Sequence, residues 1–551
     1  MSLIAQTAPG ELLIPDVAWS AFAPELAPTI TALVLLLLAV AKGPRQYIVA
    51  VPVALAAIAG GGWLILEDQL VPGIISIVLG AALPVLVAAF PRRLSLIQAW
   101  GAGLSLLGAL VLTGWQYVTI LDVEGADTIV PQEALAGAIA NDGIAFFARI
   151  VVYLTALIVV PLGYGYLKER KINRAEVEPL LLLSVVGMVS LALANDLISL
   201  FVALEVFSLG LYVLAGLARR DRRSQESSLK YFIMGAVASA ILLYGMALIY
   251  VATGSVEMAQ IGTRLGLLST ETVVAVLGVA LITVGIGFKV ALAPFHLWAA
   301  DVYQGAPTNI AAFMAAATKA AGFAALLRLY LVAFPSLQSL WVPVLAVLAA
   351  ITMLYGAYLA VVQRDLKRML AYSSITHAGY ATIGVVSVSN DGLSATLWYL
   401  LTYAVSTLAA FGCVIAVERI RQGEVTLNDL RGLGKTSPAL AGVLALSLLS
   451  LAGLPPTAGF VGKLMVFQAG VDAGLTWLVV IGVLSSVVAA FFYLRIAGMM
   501  FLESPTETSR VPVISGGLFG GILVSAALVV FLGVQPELFL HLADTAAALV
   551  R

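Results

Sequence analysis

Apolar runs long enough to cross a bilayer alternate with short polar connections along almost the whole chain. They fall at about 24–42, 47–66, 70–90, 95–118, 143–165, 178–196, 197–217, 227–253, 273–303, 309–334, 340–362, 366–388, 392–418, 437–471, 474–501 and 511–534. A helix needs about 20 apolar residues to span the hydrocarbon core, so the pattern predicts an all-α polytopic membrane protein with about 16 transmembrane helices. Two runs are unusually long and interrupted: 273–303 at Ala293-Pro294, and 437–471 in GLPPTAGFVGK, where Pro455 and Pro456 precede Lys463. Each is the fourth span of a five-span block, 178–334 and 340–501. An odd number of spans separates the block starts, so the blocks begin on opposite faces and form two inverted five-helix repeats with discontinuous helices. Paired interruptions of this kind point to an ion pathway.

Polar positions set the orientation. Connections predicted to face the cytoplasm hold 20 Lys and Arg, against Arg264 and Arg551 on the outside, which places both termini on the outer side. Residues 1–20 carry Glu11 and Asp16 but no Lys or Arg. They lack the basic start of a cleaved signal, so the first apolar run is expected to be retained. The segment 119–142, with Asp122, Glu124, Asp127 and Glu133, reads as an outside loop, and the tail after Gln535 as an interfacial helix. The expected organisation is N-terminal transmembrane helices and an outside loop (1–142), a connecting transmembrane helix and cytoplasmic loop (143–177), the two repeats, and a last transmembrane helix with the interfacial tail (502–551). Composition agrees: 61% of the 551 residues are hydrophobic and 11% charged, with mean hydropathy +1.05, more apolar surface than a soluble fold hides. The net charge of -1 gives no indication of nucleic acid, and the single cysteine, Cys413, excludes internal disulfides.

Seven basic residues lie in or beside spans: Arg149, Lys230, Lys289, Lys319, Arg328, Lys463 and Arg495. Only one carboxylate, Glu205 in LFVALEVFSLG, sits near the middle of a span. The stretch Gly285 to Thr308, GIGFKVALAPFHLWAADVYQGAPT, concentrates the irregularities: Lys289, then Pro294 five residues later, then His296. The proline leaves a carbonyl one turn back, near Val290, without its usual donor. Both features are tolerable only beside a polar cavity. Desolvation disfavours an ammonium and a nearby carboxylate favours it, so Lys289 is a candidate for switching by its distance from Glu205 or from another lysine. Lys319, in AAATKAAGFAA, lies ten residues into its span, about 15 Å deep at 1.5 Å per residue. Lys463 follows the second interruption with the same logic, at mid-depth or nearer the outer face. Lys230 begins its span in SSLKYF and is either one more inside-positive residue or part of a proton path. His296 and His377, in SSITHAGY, are candidate relays or packing residues. Arg328 and Arg495 stay charged, which suits pairing, lipid headgroups or tuning a neighbour. The competing reading for all these amines is a set of static pairs that fix helix packing. A phosphate-cradling loop, CxxC and haem-spaced histidines are missing, so no cofactor or metal is expected in this chain.

GIGFKVALAPFHLWAADVYQGAPT, LFVALEVFSLGLYVLAG, SSLKYFIMGAVASAILLYG, KRMLAYSSITHAGY and LSLAGLPPTAGFVGK together resemble the antiporter-like membrane subunits of respiratory complex I, over about residues 143–535. The DVYQGAP ending and the lysine of GFVGK are similar to one branch of that family more than to the others. The resemblance implies a proton-pumping module of NADH:quinone oxidoreductase in a bacterial inner membrane, beside other membrane-arm subunits and lipid. Quinone would be bound elsewhere in the complex, and FMN and iron–sulfur clusters carried by other subunits. It also implies roles by position. Glu205 is the family's membrane glutamate, modulating Lys289 of the broken helix, which accepts a proton from the cytoplasmic side; Lys319 bridges, and Lys463 releases outward. The family usually has fourteen spans, so the two further crossings imply an additional hairpin within 47–118. The alternatives are a subunit of a multi-subunit sodium/proton antiporter or membrane-bound hydrogenase, a non-conducting scaffold, and a stand-alone carrier of an organic solute.

Overall fold

The computed structural model describes residues 19–41, 45–66, 69–90, 93–121, 132–134, 137–267, 273–421, 423–505 and 514–548. The residues through Asp16, the basic residues Lys42, Arg92, Arg510 and Arg551, and the loop acids Asp122, Glu124 and Asp127 lie outside them.

The chain enters through α1 (Ala23–Val40), α2 (Arg45–Leu66), α3 (Leu70–Ala89), α4 (Leu94–Leu121) and α5 (Gly143–Glu169). The first five-span block follows as α6 (Val177–Leu193), α7 (Leu197–Ala215), α8 (Arg222–Thr253), the short connecting α9 (Met258–Leu267), the pair α10 (Val273–Val290) and α11 (Leu297–Gly305), and α12 (Thr308–Arg328). The second runs through α13 (Gln338–Val362), α14 (Leu366–Val386), α15 (Asn390–Arg421), the one-turn α16 (Leu433–Thr436), the pair α17 (Pro438–Ala452) and α18 (Ala458–Asp472), and α19 (Thr476–Leu502). The chain closes with α20 (Gly516–Val534) and α21 (Glu537–Ala548).

Counting each broken pair once, sixteen crossings are found among the described residues. Thirteen of the helices are long and apolar enough to span by themselves. The other three crossings are α6, with 17 residues, α14, whose Ser, Thr and His lower its hydropathy, and the broken α17–α18 pair. Aspartate caps set several starts, as short side chains that accept from the first-turn N–H groups do. Asp142 accepts from Ala145 N–H at 3.0 Å, Asp196 from Ser199 at 2.7 Å and Asp365 from Arg368 at 2.8 Å.

Both interruptions fall where proline patterning places them. The first turns at Ala291 (φ 61°) and the second at Gly453 (φ 81°), and each contains a cis X-Pro bond, Ala293-Pro294 and Pro455-Pro456. In the middle of the bundle α12 and α15 lie against each other and bury their entire apolar windows. The alanine and glycine run of α12 is what lets neighbouring backbones come this close.

Within 47–118, the segment expected to hold an additional hairpin, α2 and α3 form a hairpin packed chiefly on itself. Gly61 and Gly73 face one another so closely that a Cβ on either would meet the other's carbonyl oxygen at 2.6 Å. Only 17% of α2 and 28% of α3 is buried, so the hairpin stands at the periphery, against α1 and α4. Within the expected polar loop 119–142 the structure adds a feature the sequence pattern does not suggest. A two-stranded antiparallel hairpin pairs Gln132–Ala134 with Ile139–Asn141. The tail is helical, as α21, with Ala543, Ala546 and Ala547 buried against α5 and α15.

At the end of the bundle away from most basic connections, two buried arginines are matched. Arg149 holds Glu25 at 2.6 Å and also donates to Gln116, Asn141 and the Ala21 carbonyl. Arg328 holds Asp142 at 2.6 Å and donates to the Ala192 carbonyl. Leaving one partner of a buried pair alone costs about 3–5 kcal/mol, whereas replacing both by apolar groups costs far less. Glu25→Ala is therefore expected to lower the thermal unfolding temperature of the detergent-solubilised protein markedly, and Glu25→Leu combined with Arg149→Met to recover most of the loss. Equal melting of all three proteins would show that the pair does not clamp α1 to α5.

Candidate functional site

In α7, Glu205, Ser208 and Tyr212 fall at i, i+3 and i+7, which puts them on one face of the helix. That face meets the end of α10. Lys289, 4% exposed, donates to Ser208 Oγ at 2.6 Å. Four rings surround its ammonium: Phe207 at 5.2 Å, Tyr212 at 5.6 Å, and Tyr231 and Phe288 at 5.7 Å from Nζ to ring centre. Each such contact is worth about 0.5–2 kcal/mol, more where water is excluded. Glu205 does not form a direct ion pair with Lys289; its carboxylate accepts from Ser239 of α8. One turn of α7 therefore separates Glu205 from Ser208, the residue that Lys289 meets.

The carbonyl freed by the first break has found a donor. Val290 O, the last carbonyl of α10, accepts from Lys319 Nζ of α12 at 3.0 Å. The second break repeats the arrangement, with Ala452 O at the end of α17 accepting from Lys463 Nζ at 2.8 Å. Lys463 also donates to Ser486 Oγ at 2.8 Å and stands 4.8 Å above the Tyr380 ring. Helix C-termini carry partial negative charge that favours a cation within the last turn. Both broken helices therefore aim this end at an amine. Lys319 and Lys463 are 2% and 5% exposed, so Lys463 belongs to the interior.

His377 packs its ring 5.6 Å from that of Tyr380, over which Lys463 stands, and is near enough to Lys319 for that charge to act on it as well. Its Nδ1 is 2.6 Å from the Tyr399 hydroxyl and its Nε2 is 3.4 Å from that of Tyr493. Beyond it, Ser485 donates to the Tyr380 hydroxyl at 3.0 Å, and Tyr380 carries the row to Lys463. The fold thus brings Glu205, Lys289, Lys319, His377 and Lys463 into one row across α7, α10, α12, α14 and α18.

Two candidates fall off the row. Lys230 is 41% exposed and pairs with Glu226 at 2.5 Å and Asp301 at 2.8 Å. His296 sits in the first break against the ring of Tyr355 and makes no hydrogen bond through Nδ1. Nearby, burial pushes the carboxyl of Asp365 above the ordinary carboxylate range, opposed by the Arg368 N–H it caps. Sequence reasoning missed Ser208 and the four rings, although the i, i+3, i+7 spacing in α7 was legible. It also missed Glu418, which is near a helix end and is nonetheless buried. Among the described residues no three His, Cys, Asp or Glu side chains are grouped to hold a metal ion.

Residues 194–489 match the family described as NADH:quinone oxidoreductase/Mrp antiporter, TM. The chain is 42% identical over 501 residues to NADH-quinone oxidoreductase subunit N of Parafrankia sp., covering 86% of this chain and 93% of that protein. It is 43% identical over 516 residues to the protein of the same name from Salinispora arenicola, covering 86% and 96%. Among solved structures it is similar to a chain of respiratory complex I from Thermus thermophilus with bound aureothin. That match has TM-score 0.69 and 35% identity, covering 84% of this chain and 99% of that one. A chain of the Mrp complex from Dietzia sp. superposes with TM-score 0.73 at 25% identity, covering 97% of each.

A Cβ at Gly453, the C-cap of α17, would meet Lys463 Cδ at 2.6 Å, whereas at Gly442, within α17, it would meet nothing within 4 Å. Gly453→Ala is expected to displace the Lys463 amine from Ala452 O and to lower the melting temperature, with Gly442→Ala unchanged. A density map of Gly453→Ala with Lys463 still on Ala452 O would contradict this reading.

Proposed function

Because the chain belongs to the family of NADH-quinone oxidoreductase subunit N, a membrane subunit of respiratory complex I, we propose that its row of buried amines is the proton route of this subunit. The protein is a proton-translocating, multi-pass membrane subunit of that enzyme complex and works beside other complex I subunits. Quinone reduction takes place elsewhere in the complex and supplies the energy, and the FMN and iron–sulfur clusters are held by other subunits. The membrane is the bacterial inner membrane, with surrounding lipid, both termini outside and the basic connections in the cytoplasm. The chain divides at the boundaries expected from the sequence, with 178–334 and 340–501 as the inverted repeats.

The single observation that carries this reading is the partner set of Lys289, Lys319 and Lys463. Each donates to hydroxyl or carbonyl oxygens and none to a carboxylate. A carboxylate within 4 Å would favour the charged form strongly and hold the proton. Neutral oxygens and rings stabilise an ammonium yet leave a neutral amine adequately placed, so the proton is free to move when a nearby charge changes. Glu205, one turn from Ser208, supplies such a charge at Lys289. His377 bridges Lys319 to Lys463, accepting on one ring nitrogen and yielding from the other. Lys463 releases outward. Lys230 and His296 stand off the row, so they carry no step.

In inverted membrane vesicles containing the assembled complex, Lys319→Ala and Lys463→Ala are expected to lower NADH-driven proton uptake by about tenfold or more for this subunit's share, the lower end of what one proton-transferring group contributes. Lys230→Ala and His296→Ala are expected to stay near the parent. A scaffold without conduction predicts unchanged pumping in all four. Glu205→Gln with Ser208→Ala is expected to lose less than the sum of the two single losses, since both act on one amine; strict additivity would remove the link through Ser208.

A further inference from the structure

At the basic end of the bundle a cavity of about 350 Å³ opens among the end of α5, the turn between α11 and α12, the start of α14 and the end of α15. Tyr166, Arg170, Asp221, Arg223, Lys367 and Glu418 are in its wall. Glu418 is only three residues from the end of α15, where exposure is the norm, yet it is 3% exposed. Its carboxylate accepts from the Tyr166 hydroxyl at 3.2 Å and from the Thr308 hydroxyl, and meets the Arg170 guanidinium at 2.8 Å. Lys367, also buried, donates to Ala306 O at 2.8 Å.

Polar atoms continue inward from Glu418. Asn309 Oδ1 is fully buried and makes no hydrogen bond within the protein, and Ser374 Oγ and Thr407 Oγ1, equally buried, face only the phenols of Tyr303 and Tyr403. Buried polar atoms in native folds are satisfied by protein or by ordered water, and a site lined by several of them is one that holds water. Their order along the helices is directional. Asn309 follows Thr308, and Lys319 is ten residues further along α12, about 15 Å at 1.5 Å per residue. Ser374 stands by the phenols of Tyr303 and Tyr403, and Tyr303 also reaches Thr318, the residue before Lys319. Ser374 is one turn before His377 on α14.

We propose that this cavity is the cytoplasmic mouth of the proton route, that Glu418 passes protons inward, and that they join the amine row at Lys319 and His377 and not at Lys289. The proposal rests on the reading of that row as a proton route. Glu418 takes a proton from a hydronium ion reaching the cavity from the cytoplasm, leaving water, and gives it to the adjoining oxygen. Each hydroxyl or water then accepts one proton and yields one, and the last forms the ammonium of Lys319. Only O–H and N–H bonds change, and no redox partner is needed. Uptake at the seam between the repeats leaves Lys289 as a branch that is charged from Lys319 and biased by Glu205.

The test uses the whole complex in inverted vesicles, with protons taken up per NADH oxidised as the readout. Glu418→Gln keeps the shape of the side chain and is expected to lower the ratio to that of Lys319→Ala, Glu418→Asp to restore part of it, and Glu418→Gln with Lys319→Ala to lose no more than either alone. A parent-like ratio in Glu418→Gln beside a lowered one in Lys319→Ala overturns the mouth and leaves the row standing. Parent-like ratios in both overturn the row and the mouth with it. Should Glu418→Gln fail to assemble, Ala218→Cys at the rim gives a second measurement. A membrane-impermeant cationic methanethiosulfonate is expected to cut its pumping from the cytoplasmic face and not that of the parent. Complete labelling with undiminished pumping overturns the proposal.

Discussion

Two helices in this protein stop in mid-bundle, and each presents its last carbonyl to a lysine. In hydrocarbon an unpaired carbonyl costs several kcal/mol and an unpartnered ammonium a comparable amount or more. Val290 O with Lys319 and Ala452 O with Lys463 remove both costs in one contact each. The breaks and the amines are thus one requirement seen from two sides. The closely packed alanine and glycine surface of α12 follows from it, because Lys319 must come within reach of the end of α10.

Charge is sorted by chemistry. The two fully buried arginines, Arg149 and Arg328, do not release protons and are locked to Glu25 and Asp142. Such pairs fix α1, α5 and α12 relative to one another. The three central lysines meet only neutral oxygens and, at Lys289 and Lys463, aromatic rings. A scaffold made for rigidity alone would gain from treating both cation types alike. The separation keeps the amines sensitive to small changes in nearby charge, which suits the proton route proposed for them.

The legibility of the site differed from residue to residue. Lys289, Lys319 and Lys463 stood out because an ionisable group inside an apolar run has few innocent explanations. Lys230 and His296 matched the same pattern and are elsewhere, one half exposed at a helix start and one beside Tyr355. Nothing local separates them from His377, whose ring is placed by Tyr399 and Tyr493, 22 and 116 residues away in sequence. Glu418 was passed over because a carboxylate near a helix end usually reaches water. Its burial depends on Tyr166, Arg170 and Thr308, contributed by α5, the residue after it and α12.

Hydropathy and proline spacing by themselves determined sixteen crossings, their boundaries to within a few residues and the two interruptions, since these follow from the length of a bilayer-spanning helix and the missing N–H of proline. That α2 and α3 pair as a peripheral hairpin was set by packing alone, at the place where Gly61 and Gly73 touch. Tertiary structure alone decided which polar atoms meet: the Ser208 hydroxyl against Lys289, the donor for Val290 O, the rings around Lys289. Those contacts join residues distant in sequence, and their distances depend on how α7, α10, α12 and α15 lie against each other, a property that no single helix carries.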